Sequence, residues 1–369
     1  MKLIPIAIML MAGMSSADVV VLQDGAGSYV GSIMASDESS LRMETQAGQR
    51  MTLPWDIIRS VQFENASTEP ASMQARLDRA DRIWRARKRL QRGDAALVEP
   101  EFERLFEPSS TRRGETDLII AEGLLRCRLN RGALADAVVP ALEAARLRSL
   151  KVETSRFDEL VPVHDSRTEL CIYLPPAWPR GQSVARQIKQ VAEWDAGGND
   201  DLSAMAARYL RLLELHEQEL TGEVPTGELA ESSHPGVELL DLAIKSRSDD
   251  PDTRRSARSS LKQRLASRED WQLPWYRYLM GTSMLREPGD GMRRQGLVEL
   301  AWIPARHAQK HPYLAGLSLA DMALDLSVRG DHGAASRLES ELKNNYPNHP
   351  AIKASSSGES TSIQERQAK

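Results

Sequence analysis

The feature that most restricts how this chain folds is a change in its apolar period near residue 73. From Asp18 to Phe63 apolar residues recur at period two, broken by turn residues at about every eight to ten positions. From Met73 to Ile352 they recur at helical spacing, in segments separated by short turns rich in Gly, Asn and Asp. Period two places alternate side chains on the two faces of a strand, whereas a period of 3.6 lines one face of a helix. Two helices joined by a turn of a few residues lie antiparallel. The expected fold is therefore mainly α, with α-helical hairpin repeats over residues 73–352 preceded by a small five-stranded β-barrel over residues 18–66 and a linker at 67–72.

Within the β module, Val19 and Val21 mark the alternation of a first strand that stops at Asp24-Gly25. A second run, Tyr29 to Met34, contains Gly31, where a sharply bent strand curls without a side-chain clash. Leu41, Met43 and Thr45 alternate with Arg42 and Glu44, Gly48 turns the chain into Met51 and Leu53, and Pro54-Trp55 leads through Ile57 and Ile58 to Val61 and Phe63. Asp18-Val-Val-Val-Leu22, Asp24-Gly25, Gly31-Ser-Ile33, Leu53-Pro54-Trp55 and Ile58-Arg-Ser-Val61 together resemble the strand framework of Sm-like or SH3-like small barrels. That resemblance implies a fold. Cytoplasmic Sm-like barrels often bind RNA, but this module lacks a dense basic rim, so no nucleic-acid partner is carried over.

In the helical part, Met73, Leu77, Ala80, Trp84 and Leu90 share one face of a helix that stops at Gly93-Asp94. A partner helix is expected from Ala95 to Phe106, interrupted at Pro100. Further helices are expected at Asp117 to Leu129, Ala133 to Leu147, Ser183 to Trp194, Leu202 to Leu220, Gly236 to Lys245 and Pro251 to Ser267, the last begun by an Asp250 N-cap before proline. Leu174-Pro-Pro-Ala-Trp-Pro179 reads as a loop, because successive prolines remove backbone donors. Four more helices follow at Trp275 to Leu285, Met292 to His307, Leu314 to Val328 and Ala334 to Asn345. Leu319, Met322, Ala323, Leu326, Gly330-Asp331, Ala334-Ala335, Leu338, Leu342 and Tyr346-Pro347 resemble a tetratricopeptide repeat. That family places small residues at helix crossings and a proline at the repeat end, as Ala335 and Pro347 do here. The resemblance implies a TPR-like α-solenoid with an extended surface for protein or peptide partners.

The first seventeen residues read as a secretory signal: Lys2, an apolar stretch from Leu3 to Met14, and small residues Ser15 and Ala17 flanking Ser16 before the cut. The mature chain is then exported to the periplasm, the cell envelope or the medium, with no integral membrane segment after cleavage. A Ser-, Glu- and Gln-rich tail at 353–369 is expected to be disordered. With 48 basic and 52 acidic residues the net charge is −4, so no global field draws the chain to nucleic acid. Cys127 and Cys171 leave two alternatives open in an oxidising compartment, one disulfide or two buried thiols.

Candidate catalytic patterns each fail on context. Gly25-Ala-Gly27-Ser-Tyr-Val-Gly31, with Glu44 downstream, lacks the βαβ units of a dinucleotide fold and reads as turn and bend glycines. His216-Glu217-Gln-Glu219 lacks the second histidine of a zinc-protease helix. His307 and His311 have the spacing without the glutamate, and read as surface histidines near a helix end. Gly316-Leu-Ser318-Leu-Ala320 falls inside a helical pattern instead of on a strand-to-helix elbow, as does Gly281-Thr-Ser283. The chain is therefore read as non-catalytic, with no cofactor and no metal. Two surfaces remain as candidates for partners. Arg82, Arg85, Lys88, Arg89 and Arg92 form a local basic face suited to an anionic envelope polymer or acidic protein. Trp271, Trp275, Tyr276 and Tyr278 form the densest aromatic group; helical spacing turns some of them inward, so core packing is expected, with an aromatic patch for a partner as the alternative. The rival to a scaffold is an envelope enzyme acting on polysaccharide, with carboxylates that converge only on folding.

Overall fold

The computed structural model describes residues 17–65, 72–108, 111–222, 229–266 and 271–356. The expected signal peptide, all of the expected linker but Ser72, and residues 357–369 of the expected tail lie outside the described residues. The chain divides into two compact units, one built on the residues up to Ala86 with Gly114–Thr116, the other on Arg87–Arg113 and the chain from Asp117.

In the first unit, strands β1 (Asp18–Leu22), β2 (Ser28–Ser36), β3 (Ser40–Thr45), β4 (Arg50–Pro54) and β5 (Ile58–Gln62) form one antiparallel sheet in the order β4-β3-β2-β1-β5. The expected barrel is not closed: β4 and β5 remain the two edges of an open sheet. Its apolar face is covered instead by helix α1 (Met73–Gln91), whose Met73, Leu77 and Ala80 pack on Val20, Leu41, Met43, Leu53, Trp55 and Ile58. Each fully buried side chain of this size contributes roughly 1.5–3 kcal/mol. The inward residues of β1 are Val20 and Leu22, not Val19 and Val21. Its apolar run contains no polar residue to mark an outward face, and a one-residue slip exchanges the faces. Gly31 of β2 pairs with Thr45 of β3 at close range: a Cβ there would lie 2.0 Å from the Glu44 carbonyl oxygen. Buried Trp55 is fixed at both ends, its indole N–H donating to the Asp37 carbonyl (2.9 Å) and its backbone N–H to Thr116 Oγ1 (3.0 Å).

The second unit carries α2 (Ala95–Leu105), α3 (Glu115–Asn130), α4 (Leu134–Ser149), α5 (Ala185–Ala192), α6 (Asp200–Thr221), α7 (Pro235–Ser246), α8 (Pro251–Leu265), α9 (Leu273–Leu285), α10 (Asp290–His307), α11 (Pro312–Val328), α12 (His332–Asn345) and α13 (Pro350–Ser356). Local chemistry fixes several starts. Asn199, Asp250 and Asp331 each accept a backbone N–H of the first turn of α6, α8 and α12. Pro100 does not interrupt α2: it lies on the exposed side of the helix, where the carbonyl that loses its donor is not buried in the core. The chain also stays helical to Ser356, beyond the expected start of the tail.

From α5 to α12 each helix packs on the next, and α7 also meets α9, α9 meets α11, and α11 meets α13. Contacts between neighbours and next-neighbours are what stacked hairpins produce, so the unit is repeat-like. Helices α9 and α10 cross closely through two glycines: a Cβ on Gly296 would lie 2.8 Å from the Gly281 carbonyl, and one on Gly281 2.8 Å from Leu300.

Between α4 and α5 the chain is irregular apart from the short antiparallel pair β6 (His164–Asp165) and β7 (Leu170–Cys171), which the sequence pattern did not announce. The segment that follows has no regular structure, as its prolines require, yet it is an interior element. Leu174, Ala177 and Trp178 belong to the main core. Its backbone carbonyls must then find donors inside the protein. Tyr313 Oη donates to the Ala177 carbonyl (3.0 Å), Tyr209 Oη faces that of Leu174 (3.4 Å), and His216 Nε2 meets that of Gln182 (2.9 Å).

Candidate functional site

A cleft of about 490 Å³ opens where α6, α7, α8 and α9 bring their ends together. Its volume falls in the range of pockets that hold small ligands, roughly 300–1,000 Å³. Long α6 contributes Arg211, Leu215 and Glu219 along one wall. The α7–α8 turn runs only from Arg247 to Asp250, because Asp250 immediately caps α8 ahead of Pro251, and this sets Arg247 beside the start of α8. Arg286, the residue that ends α9, closes the opposite side.

The charges in the cleft are only partly matched. Arg286 pairs with Glu219 and donates through Nη1 to the Arg247 carbonyl (3.2 Å). Arg211 lies 3.4 Å from Glu214. Asp250 is committed to α8, accepting from the backbone N–H groups of Asp252 (3.3 Å) and Thr253 (2.9 Å). Arg247 has no such partner: its Nη1 is buried and makes no hydrogen bond among the described residues.

Behind the cleft, Arg180 reaches from the interior segment to Asp321 of α11 (3.5 Å), whose other oxygen accepts from the Tyr278 hydroxyl (2.7 Å). Two carboxylates thus sit in opposite electrostatic conditions. Desolvation alone would raise the pKa of Glu219, but the guanidiniums of Arg180, Arg247 and Arg286 outweigh it and hold the group below its ordinary value. At Asp321 desolvation prevails over Arg180 and the Tyr278 hydrogen bond, and the pKa rises. Asp321 is 5% exposed with an oxygen facing each partner, so it anchors Arg180 and Tyr278.

A second surface lies on α10. Val298 and Trp302, four residues apart, are 57% and 39% exposed. The Trp302 ring is flanked by two guanidiniums, Arg277 at 4.7 Å and Arg306 at 5.4 Å, and Arg277 is held by Glu299 (2.5 Å).

The residues singled out in the sequence fall elsewhere. Arg82, Arg85 and Arg89 are exposed along α1, Arg92 is exposed just past its end, and Lys88 is half-buried; Arg85 is paired with Asp81 (2.8 Å). The aromatic group does not form a surface patch. Trp275, Tyr276 and Tyr278 are buried, and half-buried Trp271 meets Trp275 edge-on at 5.2 Å, because Leu273–Leu285 turns its aromatic side into the core. His311 is not a surface histidine either. It is buried against Tyr173, ring centres 5.6 Å apart, and burial lowers its pKa to about 4. Ser318 lies inside α11, its hydroxyl donating back to the Leu314 carbonyl (2.8 Å), and Gly25 and Gly27 are positive-φ turn residues between β1 and β2. Cys127 and Cys171 are both free and buried. No sequence reading picked out Arg247, Arg286 or Trp302. Arg247 and Arg286 carry one local mark, a basic residue at a helix C-terminus, which is common for reasons of helix dipole alone, and Trp302 carries none.

No protein-family model, curated protein or solved structure matches the chain.

Proposed function

We propose that this chain is an exported, non-catalytic adaptor that holds a protein partner on its helical unit. In this reading tetratricopeptide-like hairpins supply the scaffold, and the Sm- or SH3-like N-terminal sheet serves as a second docking unit. The observation that carries the proposal is the exposed ridge of α10, where Trp302 stands between Arg277 and Arg306 beside Val298. Tryptophan and arginine dominate interface hot spots, since a flat aromatic surface flanked by planar cations gives large contact area at small entropic cost. The ridge carries arginine, so the matching partner surface is acidic.

The test is photo-crosslinking. A photoreactive phenylalanine analogue at Val298 in tagged protein, irradiated in its own cell envelope, is expected to yield a discrete adduct identified as a protein by mass spectrometry. Trp302→Ala in the same background should reduce that adduct at least tenfold. Failure to form any protein adduct, or an adduct indifferent to Trp302→Ala, refutes the proposal. Recovery of glycan alone would favour the polysaccharide-directed reading.

A further inference from the structure

We infer that the cleft between α6, α7, α8 and α9 is a binding site for a carboxylate group, received by the guanidinium of Arg247. Three guanidiniums act on the interior carboxylates, and two of them are satisfied: Arg286 has Glu219 and Arg180 has Asp321. Arg247, the third, has no ion pair within 4 Å among the described residues, and its Nη1 is withdrawn from water without a hydrogen bond. A buried donor left without an acceptor is costly, and more so when charged, so a ligand that brings an acceptor to Arg247 is favoured there.

The ligand's charge follows from the lining. Four cations, Arg211, Lys245, Arg247 and Arg286, face three carboxylates, Glu219, Asp249 and Asp250, and Arg211 also pairs with Glu214 outside the lining, so the positive charge in excess is local, at the guanidinium of Arg247, which has no ion pair among the described residues. A single carboxylate neutralises it. A phosphate dianion would overshoot and be repelled by Asp249 and Asp250 at the rim, although guanidinium binds both groups with the same planar fork. The position is also prepared. Arg286 donates to the Arg247 carbonyl and is itself held by Glu219, so the backbone at Arg247 is fixed before a ligand arrives. Leu215 and Ile244 supply apolar wall for the carbon skeleton that carries the carboxylate. That skeleton belongs either to a free small acid or to an acidic side chain of a peptide.

Isothermal titration of the full chain at low salt, with succinate and with a blocked tripeptide amide bearing one internal aspartate, separates the two sources. Binding of either probe is expected, with inorganic phosphate at least tenfold weaker. Arg247→Gln should weaken the probe at least tenfold, Arg247→Lys should fall between, and Arg255→Gln, on the exposed side of α8, should leave it unchanged. Succinate alone identifies a free acid and the peptide alone a protein-borne one; both outcomes support the site. No binding of either carboxylate, tighter binding of phosphate, or indifference to Arg247→Gln overturns it. Should the variants misfold, the wild-type protein decides through the Arg247 side-chain ¹⁵N resonance, which must move on addition of succinate. Trp302→Ala is expected to leave every titration unchanged, so failure here is distinct from failure of the adaptor proposal.

Discussion

Acidification from pH 7 to pH 5 should cost the helical unit much of its stability through three buried histidines. His216, His311 and His349 are withdrawn from water, and burial depresses each pKa to about 4. At His349 the hydrogen bonds require the neutral ring, because Nδ1 accepts from the Ala351 N–H (3.2 Å) while Nε2 faces the Tyr313 carbonyl (2.8 Å). The unfolded chain protonates near pH 6.5, so between about 6.5 and 4 it binds more protons than the folded chain, and stability falls as pH falls. Going from pH 7 to 5 costs about 2 kcal/mol per histidine, roughly 6 kcal/mol for three, against a typical domain stability of about 5–15 kcal/mol. Glu219 and Glu287, whose pKa values are lowered in the folded state, contribute only at more acidic pH. Urea midpoints read by circular dichroism at pH 7, 6 and 5 give the slope, and each His→Gln variant should remove about a third of it. A wild-type midpoint flat over this range, or a triple variant that keeps the wild-type slope, would refute the reasoning.

Three further outcomes are expected. Gly281→Leu, at the α9–α10 crossing, should destabilise by about 1–3 kcal/mol or more, seen in thermal melts, whereas the same change at exposed Gly291 should do little. Tyr278→Phe removes a donor from buried Asp321 and should cost about 1–3 kcal/mol in urea titrations. Burial pushes the thiols of Cys127 and Cys171 up to about 12, so an aromatic disulfide reagent at pH 8 should label neither in the native protein and both in denaturant.

The elements were largely legible where local chemistry decides them. The Asp250 cap before Pro251 and the Gly330-Asp331 turn placed α8 and α12 to within a few residues, and Gly31 marked a place without room for a side chain, because only the absence of Cβ admits the Glu44 carbonyl. Legibility ended where a decision is tertiary. Nothing in Asp18-Val-Val-Val-Leu22 tells one face from the other, and nothing in strands this short states whether a sheet closes or is covered by α1. Prolines between 174 and 179 specify irregular backbone, not depth. The cleft was invisible because Glu219, Arg247 and Arg286 come from the ends of three helices far apart in sequence, and no spacing rule joins them.

The interior segment carries one more implication. In a strictly linear array each repeat answers only to its neighbours, so units can be removed, duplicated or melted singly. Here the Tyr313 hydroxyl and the Ala177 carbonyl join positions 136 residues apart, and Trp178 sits in a core shared with helices up to α13. Truncation at α11 would uncover that tryptophan, and so would loss of the segment itself. Such long-range closure slows folding but makes the unit indivisible. In evolutionary terms, this array cannot lengthen or shorten by copying hairpins without rebuilding the strut that runs through it.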